Sequence, residues 1–299
     1  MSNNLHDFIP DLAGKVAIVT GGHTGLGFGT SIELAKHGAR VYIASRSAAK
    51  FKDAEQDILS EYPKADVRFL MLDLADLNTV REATERFAQQ ESSLHLLVNN
   101  AGVMCIPYEE TGNGFEMQIG VNYIGHFVFT KLLIPILQKT AETTEKGSVR
   151  VVNVSSDGHA KLAPKEGIIF SDMNMKNDFS VWARYGHSKL ANVLHSRALA
   201  KRYPNILTLS LHPGTVKTYV AVSCPTIFKH GSDGAQELIR RADLVNSAVS
   251  VDKAACRAGC AWSTKGGGKH SFRCCVTEAT LGVRQWSISA TNWKGVVAQ

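Results

Sequence analysis

Tyr185 and Lys189 stand four residues apart in a stretch, 185–203, whose spacing predicts a helix closed by Pro204, so the two side chains share one helical face. A phenol titrates near pH 10, about three units above neutrality. A neighbouring ammonium stabilises the phenolate and brings that value toward the working range of general acid–base catalysis. Such a pair can give a proton to the oxygen of a ketone or aldehyde, or take one from an alcohol. A serine hydroxyl can steady charge developing on the same oxygen, and Ser155 and Ser156 follow a predicted strand at 149–154. A helical Tyr/Lys pair is ordinarily a surface contact, so the rest of the chain must supply the context.

The first part of that context is Thr20-Gly-Gly-His-Thr-Gly-Leu-Gly27, which follows a short β-branched run at 16–19 and opens a helix. That is the setting of a dinucleotide fingerprint. Gly21 permits the tight turn, Gly25 lets the backbone approach a pyrophosphate, and Gly27 allows close helix–strand packing. Thr24 and Leu26 lie among these glycines, where the N–H groups of a helix N-terminus meet phosphate. The second strand ends Ala44-Ser-Arg-Ser47, with Lys50 one turn on. An acid there would suit the ribose 2′-hydroxyl of NAD. Arg46, with Lys50 behind it, suits the 2′-phosphate of NADP, because a guanidinium pairs bidentately with oxyanions. NADP is the expected cofactor.

The elements that must position these residues alternate. Strands are predicted at 16–19, 40–44, 67–72, 95–98, 149–154 and 207–211, and helices at 31–37, 47–62, 77–91, 120–138 and 185–203. Strands separated by helices require right-handed crossovers, hence a parallel sheet with helices on both faces. Apolar runs without strict alternation agree, since parallel strands are buried on both sides. The expected fold is α/β, a doubly wound Rossmann-type sheet in a single domain over 1–220. The connection 157–183 is long, with Phe179 and Trp182 near its end, and part of a substrate pocket is expected there. His159 and His187 are expected to be local hydrogen-bonders. Met104, Met117, Met173 and Met175 could line a lipophilic pocket, although methionine is commonly core filler.

Here the chain resembles the short-chain dehydrogenase/reductase family. The loop at 20–27 has that family's T-G-x-x-x-G-x-G spacing. Asp73-Leu74 follows the third strand, Asn99-Asn-Ala-Gly102 the fourth, and Asn122 sits in Val121-Asn-Tyr-Ile-Gly-His126. Tyr185-Gly-His-Ser-Lys189 matches Y-x-x-x-K, and His212-Pro-Gly-Thr-Val-Lys-Thr218 matches P-G-x-x-x-T. Within the family, 151–156 and 185–194 are similar to the retinol dehydrogenase and WW-domain oxidoreductase branch and to fungal tailoring reductases. The resemblance implies an NADP(H)-dependent oxidoreductase interconverting a carbonyl and an alcohol on a lipophilic small molecule, in secondary metabolism among other settings. Tyr185 would be the acid/base, Lys189 would lower its pKa and hold the nicotinamide ribose, and Asn122 would place a water linked to Lys189. Ser156 would hold the substrate oxygen, with Ser155 as the close alternative. Asp73, Asn99, Val216 and Thr218 would join Gly21, Thr24, Gly25, Leu26, Gly27, Arg46, Lys50, Tyr185 and Lys189 around the cofactor. The rival reading is a non-catalytic NADP-binding or scaffold protein. A homo-oligomer is compatible with the family, whose members usually form dimers or tetramers.

The chain has 299 residues, 44% of them apolar, enough for one sizeable core. Its formal charge of +6 is uneven. Residues 1–220 hold 23 Lys and Arg against 22 Asp and Glu, whereas 221–299 hold 10 against 5. Basic content confined to a tail, without a reading motif, gives no reason to expect a nucleic-acid partner. No apolar run reaches the roughly 20 residues of a membrane span, and Met1–Lys15 does not read as a signal peptide. A cytoplasmic protein with reduced cysteines is expected. A substrate lid is expected over 221–253. Beyond 254 the strand–helix pattern stops, and Cys256, Cys260, Cys274 and Cys275 gather near three glycines. Their spacing is poor for zinc, and no metal site is expected. A shifted reading frame or missed splice site explains the break better.

Overall fold

Val16–Thr20 (β1) is buried along its whole length because its two faces feed two different cores. Ile18 meets Tyr42, Phe87, Leu97, Phe129 and Leu133 on one side. Ala17 and Val19 meet Leu34, Val41, Ile43, Phe51 and Val98 on the other. A strand buried on both faces has to be apolar throughout, which is why this one shows no alternation. The computed structural model describes residues 9–214. The expected lid at 221–253, the tail from 254, Val216 and Thr218 lie outside them.

The remaining elements are Gly25–Lys36 (α1), Arg40–Ser45 (β2), Ala48–Glu61 (α2), Asp66–Met71 (β3), Leu77–Gln90 (α3) and Leu96–Asn99 (β4). There follow Met117–Ile119 (α4), a π-helical turn at Gly120–Gly125, His126–Glu142 (α5), Arg150–Val154 (β5), Gly158–Lys161 (α6), Val181–Arg202 (α7) and Leu207–Leu211 (β6). The strands form one sheet in the order β3-β2-β1-β4-β5-β6, and every pairing is parallel. This is the doubly wound fold, and the order reverses between β1 and β4, where such sheets open a ligand crevice at their carboxyl ends.

Side-chain caps set three helix starts. Ser47 accepts Lys50 N–H at 3.3 Å before α2, Asp76 accepts Asn78 N–H at 2.9 Å before α3, and Ser180 accepts Ala183 N–H at 3.1 Å before α7. Helix α1 opens at Gly25, six residues ahead of the predicted start, because glycines and threonines conceal helical spacing. The predicted helix at 120–138 is instead a short α-turn, a π-turn and α5. Met117–Glu142 is apolar and long enough to cross a bilayer by composition, but 56% of its most apolar stretch is buried within the protein. Pro135 is accommodated inside α5 on its exposed side, where the carbonyl it leaves unbonded can meet water.

Candidate active site

The glycine loop joins β1 to α1 at the carboxyl end of the sheet. Gly21 has φ 64°, and a Cβ on Gly27 would sit 2.3 Å from the Gly21 carbonyl oxygen. Only bare glycine lets α1 start this close to the turn. Thr24, the residue before α1, makes no side-chain cap, and no acid stands in the first turn. The helix N-terminus is therefore left with its positive end and its N–H groups for an anion. His23 in the same loop is held below its usual pKa by burial, then by the charges of Lys50 and Arg46. Three basic groups thus converge where β1 and β2 end, and the loop fits the phosphates of a dinucleotide.

Asp73 and Asn99 are differently placed. Asp73 Oδ1 accepts Ala75 N–H at 2.9 Å, and Thr79 Oγ1 bridges the Asp73 backbone. The Asp73 side chain thus stiffens the turn after β3. Asn99 is 3% exposed, and its Nδ2 donates to Asn153 Oδ1 at 2.8 Å and Thr130 Oγ1 at 2.9 Å. The Asn99 side chain ties β4 to β5 and α5. Asn100, which the sequence did not single out, reaches the loop with an Nδ2 bond to the Thr20 carbonyl at 2.9 Å.

Ser155 and Ser156 leave β5 in different directions. Ser155 is buried and donates to the Lys189 carbonyl at 2.8 Å. Ser156 Oγ accepts Gly158 N–H at 3.1 Å, donates to Asp157 Oδ1 at 3.2 Å and lies beside Tyr185, whose pKa it lowers. Only Ser156 meets the phenol. Gly158 allows this contact, since a Cβ there would lie 3.2 Å from Tyr185 Cε1 and 3.4 Å from Ser156 Oγ.

Lys189 is 5% exposed, its Nζ donates to the Val154 carbonyl at 2.9 Å, and it lies 5.7 Å from the Tyr185 ring centroid. Burial lowers its pKa to about 8 from 10.5. Tyr185 moves the other way: burial raises it above 10, the Ser156 bond pulls it down, and the charge of Asp157 adds to the rise. The Lys189 ammonium is turned to the Val154 carbonyl, and burial is the chief influence on Tyr185.

Asn122 is fully buried in the π-turn. Its Oδ1 accepts Val103 N–H at 2.8 Å, and its Nδ2 donates to Val103 O at 2.9 Å and Ser188 Oγ at 3.0 Å. The amide is thereby committed to the 103 loop and to α7, leaving the main-chain carbonyl as the group able to serve a water. Glu116 is a residue sequence reading missed. It caps α4 through Gln118 and Ile119 N–H, both 3.0 Å from Oε2, and pairs with Arg184 at 3.5 Å, one residue before Tyr185. Burial raises the Glu116 pKa. The signal was present as an acid just before a helix, a capping pattern.

His187 Nε2 accepts Ile169 N–H at 3.1 Å and His159 Nδ1 bonds the Ser156 carbonyl at 2.5 Å, local roles as expected. Met175 is buried and Met173 packs on the core, so these two do not line a pocket. Among the described residues no three His, Cys, Asp or Glu side chains could hold a metal.

The family model described as short chain dehydrogenase matches residues 15–167. An uncharacterized oxidoreductase of Schizosaccharomyces pombe is 46% identical over 221 residues, covering 73% of this chain and 65% of that protein. A short-chain dehydrogenase/reductase of Aspergillus calidoustus is 49% identical over 221 residues, 70% of each. Mouse retinol dehydrogenase 11 is 44% identical over 69% of this chain and 62% of its own. The branch resembles the one read from 151–156 and 185–194, and the chain spans less than two thirds of two of these relatives. The solved RhlG/NADP active-site complex of Pseudomonas aeruginosa superposes with a TM-score of 0.56 at 26% identity, over 72% of this chain and 79% of that one. With the sheet order and the glycine loop, these matches settle the assignment: the chain belongs to the short-chain dehydrogenase family, whose members are oxidoreductases.

Proposed function

We propose that this protein is an NADP(H)-dependent oxidoreductase that interconverts a carbonyl and an alcohol on a lipophilic small molecule. The observation that carries the reading is the placement of Tyr185 and Ser156 side by side against Gly158, with the buried Lys189 5.7 Å from the Tyr185 ring. The bound nicotinamide would supply hydride to the carbonyl carbon, or accept it in the reverse direction. Ser156 would donate a hydrogen bond to the substrate oxygen, and Tyr185 would pass its hydroxyl proton to that oxygen as the C=O bond becomes C–O–H. The phenolate left behind would regain a proton from the side of Lys189, whose pKa of about 8 suits exchange near neutrality. Gly21, Thr24, Gly25, Leu26 and Gly27 would hold the pyrophosphate. Arg46 and Lys50, with His23, would take the 2′-phosphate. That a relative is named retinol dehydrogenase and a structural neighbour was solved with NADP supports a lipophilic substrate and this cofactor. We place the reaction in the cytoplasm, where six cysteines stay reduced.

The test is a panel of lipophilic aldehydes and ketones with NADPH, run on the full chain and on Tyr185→Phe. Turnover in the first and none in the second, with NADPH still bound by both, is the expected result. Retained turnover in Tyr185→Phe rejects the acid–base assignment. NADPH binding without turnover on any carbonyl favours a non-catalytic, cofactor-binding protein. Arg46→Asp should weaken NADPH about tenfold or more relative to NADH, the worth of one charged hydrogen bond. Equal effects on both cofactors reject NADP preference.

A further inference from the structure

His126, the first residue of α5, is 1% exposed and touches two main-chain or side-chain groups of the site at once. Its Nδ1 lies 3.0 Å from the Asn122 main-chain carbonyl, and its Nε2 lies 2.8 Å from Thr20 Oγ1. A carbonyl can only accept, so Nδ1 carries the proton. Burial holds the ring neutral with a pKa of about 3, the Asn122 carbonyl opposes this, and the charges of Lys189 and His195 add to it. A neutral ring protonated at Nδ1 has a bare Nε2. Thr20 therefore donates there.

The rest of Thr20 closes the account. Its hydroxyl has one proton and two lone pairs. Oγ1 accepts Asn100 N–H at 2.9 Å and Ala101 N–H at 3.0 Å, which uses both pairs. Among the described residues, the competing acceptor for its proton is the Val98 carbonyl at 3.4 Å, too long to rival 2.8 Å. One chain of bonds thus runs from the loop after β4, through the last residue of β1, through His126, to the Asn122 carbonyl. On the far side of Asn122, a Cβ added to Gly102 would lie 3.0 Å from Asn122 Oδ1 and 3.6 Å from Lys189 Nζ. The chain thus ends on the residue whose side-chain oxygen shares the Gly102 surroundings with Lys189 Nζ.

We propose that His126 is a positioning residue: as an Nδ1-protonated neutral imidazole it locks the glycine loop, through Thr20, to the main chain of Asn122, whose side chain shares the Gly102 surroundings with Lys189. Its part in turnover rests on the function proposed above; its hydrogen-bonding role does not. By donating to the Asn122 carbonyl it polarises that group and holds the Asn122 main chain in place, in the residue whose side chain lies near the group that reprotonates Tyr185. By accepting from Thr20 it keeps the hydroxyl turned so that both N–H groups after β4 are served. A shift of the glycine loop is then felt at the proton-handling end of the site, and the reverse.

The experiment combines 15N histidine NMR on the full chain with His126→Asn and His126→Leu. The His126 signals, identified by their loss in the variants, should show a protonated Nδ1 and a bare Nε2 throughout about pH 5 to 9, with no titration. A protonated Nε2, or titration in that range, overturns the proposal. Asparagine places a donor near the position of Nδ1, but its Oδ1 falls short of the Nε2 position that accepts from Thr20; leucine has neither donor nor acceptor. His126→Leu should lower kcat about tenfold or more and move the pH profile of kcat, whereas His126→Asn should recover kcat to within about threefold. Both variants should bind NADPH more weakly, since both lose the Thr20 arm. Leucine and asparagine falling alike in kcat, in step with their Tm, would make His126 a structural residue only. So would an unchanged pH profile in a folded leucine variant. If His126→Leu does not fold, the wild-type tautomer and the split between kcat and NADPH affinity in His126→Asn decide. Failure of the proposed reaction would appear as turnover retained in Tyr185→Phe. That outcome leaves the tautomer and the NADPH affinities as they are.

Discussion

Ser155 and Ser156 are identical in type, adjacent in sequence and opposite in fate. Once β5 ends, the first hydroxyl turns inward to the Lys189 carbonyl and the second meets Tyr185. Replacing each by alanine should separate the roles. Ser156→Ala should cost kcat about 100-fold, in the range of a lost donor to developing charge, with Tm nearly unchanged. Ser155→Ala should destabilise the fold by about 1 kcal/mol, a typical net buried hydrogen bond, with a smaller kcat effect. Turnover and thermal melting of the two variants check this. Tyr185, Lys189, Asn122 and the glycines were legible because their types and spacing are constrained by chemistry. The direction of the Tyr185 pKa was not, because burial is set by residues distant in sequence. Likewise, the Asn99 amide has its partners Asn153 and Thr130 on elements that no local pattern connects to it.

At the level of elements, two glycines carry close approaches that periodicity does not reveal. A Cβ on Gly186 would lie 2.4 Å from Ala163 N and 2.5 Å from Leu162 C. Both are backbone atoms that cannot turn aside, so α7 and the segment after α6 touch through this residue. Gly186→Ala should destabilise the protein by about 1–3 kcal/mol, the range for overpacking. It should also lower kcat, since it pushes α7, which carries Tyr185, away from the segment after α6. A denaturant titration reads the first effect; an unchanged midpoint would contradict the packing described. Gly125 plays the same part in the π-turn, where a Cβ would lie 2.5 Å from the Leu74 carbonyl. The strands and the long helices α2, α3 and α7 were readable from apolar spacing and from Ser47 and Pro204. The π-turn was not, because an extra residue in one turn leaves almost no mark on a 3.6-residue pattern.

Across the whole molecule, buried neutral histidines set the response to acid. His126, His187 and His195 have pKa values of about 3, 4 and 4, each lowered mainly by burial from an ordinary 6.5. Between pH 6.5 and about 4 the unfolded chain binds protons at these sites that the native chain does not. Stability therefore rises with pH across that window and falls as acid is added. Near pH 5 the slope should approach about 4 kcal/mol per pH unit from three protons. Urea midpoints at several pH values measure it, and His187→Gln should remove about one third of it. Lys189 acts at the other end: its native value of about 8 against 10.5 means stability also rises with pH between those values. Fold class and sheet composition were legible at this scale from the alternation of elements; the strand order was not, since it depends on which face each crossover takes.

The strand order has a further consequence at the ribosome. β2 and β3 pair with β1 or with each other within the first 71 residues, whereas the other neighbour of β1 is β4, joined through Ala17 opposite Leu96. A chain growing from its N-terminus can thus assemble β3-β2-β1 while one edge of Val16–Thr20 still lacks its partner. For as long as translation takes to deliver β4, five residues with no charge among them present open N–H and C=O groups. That nascent edge is where a ribosome-bound chaperone has most to shield, and where slow synthesis ahead of Leu96 would do the most harm.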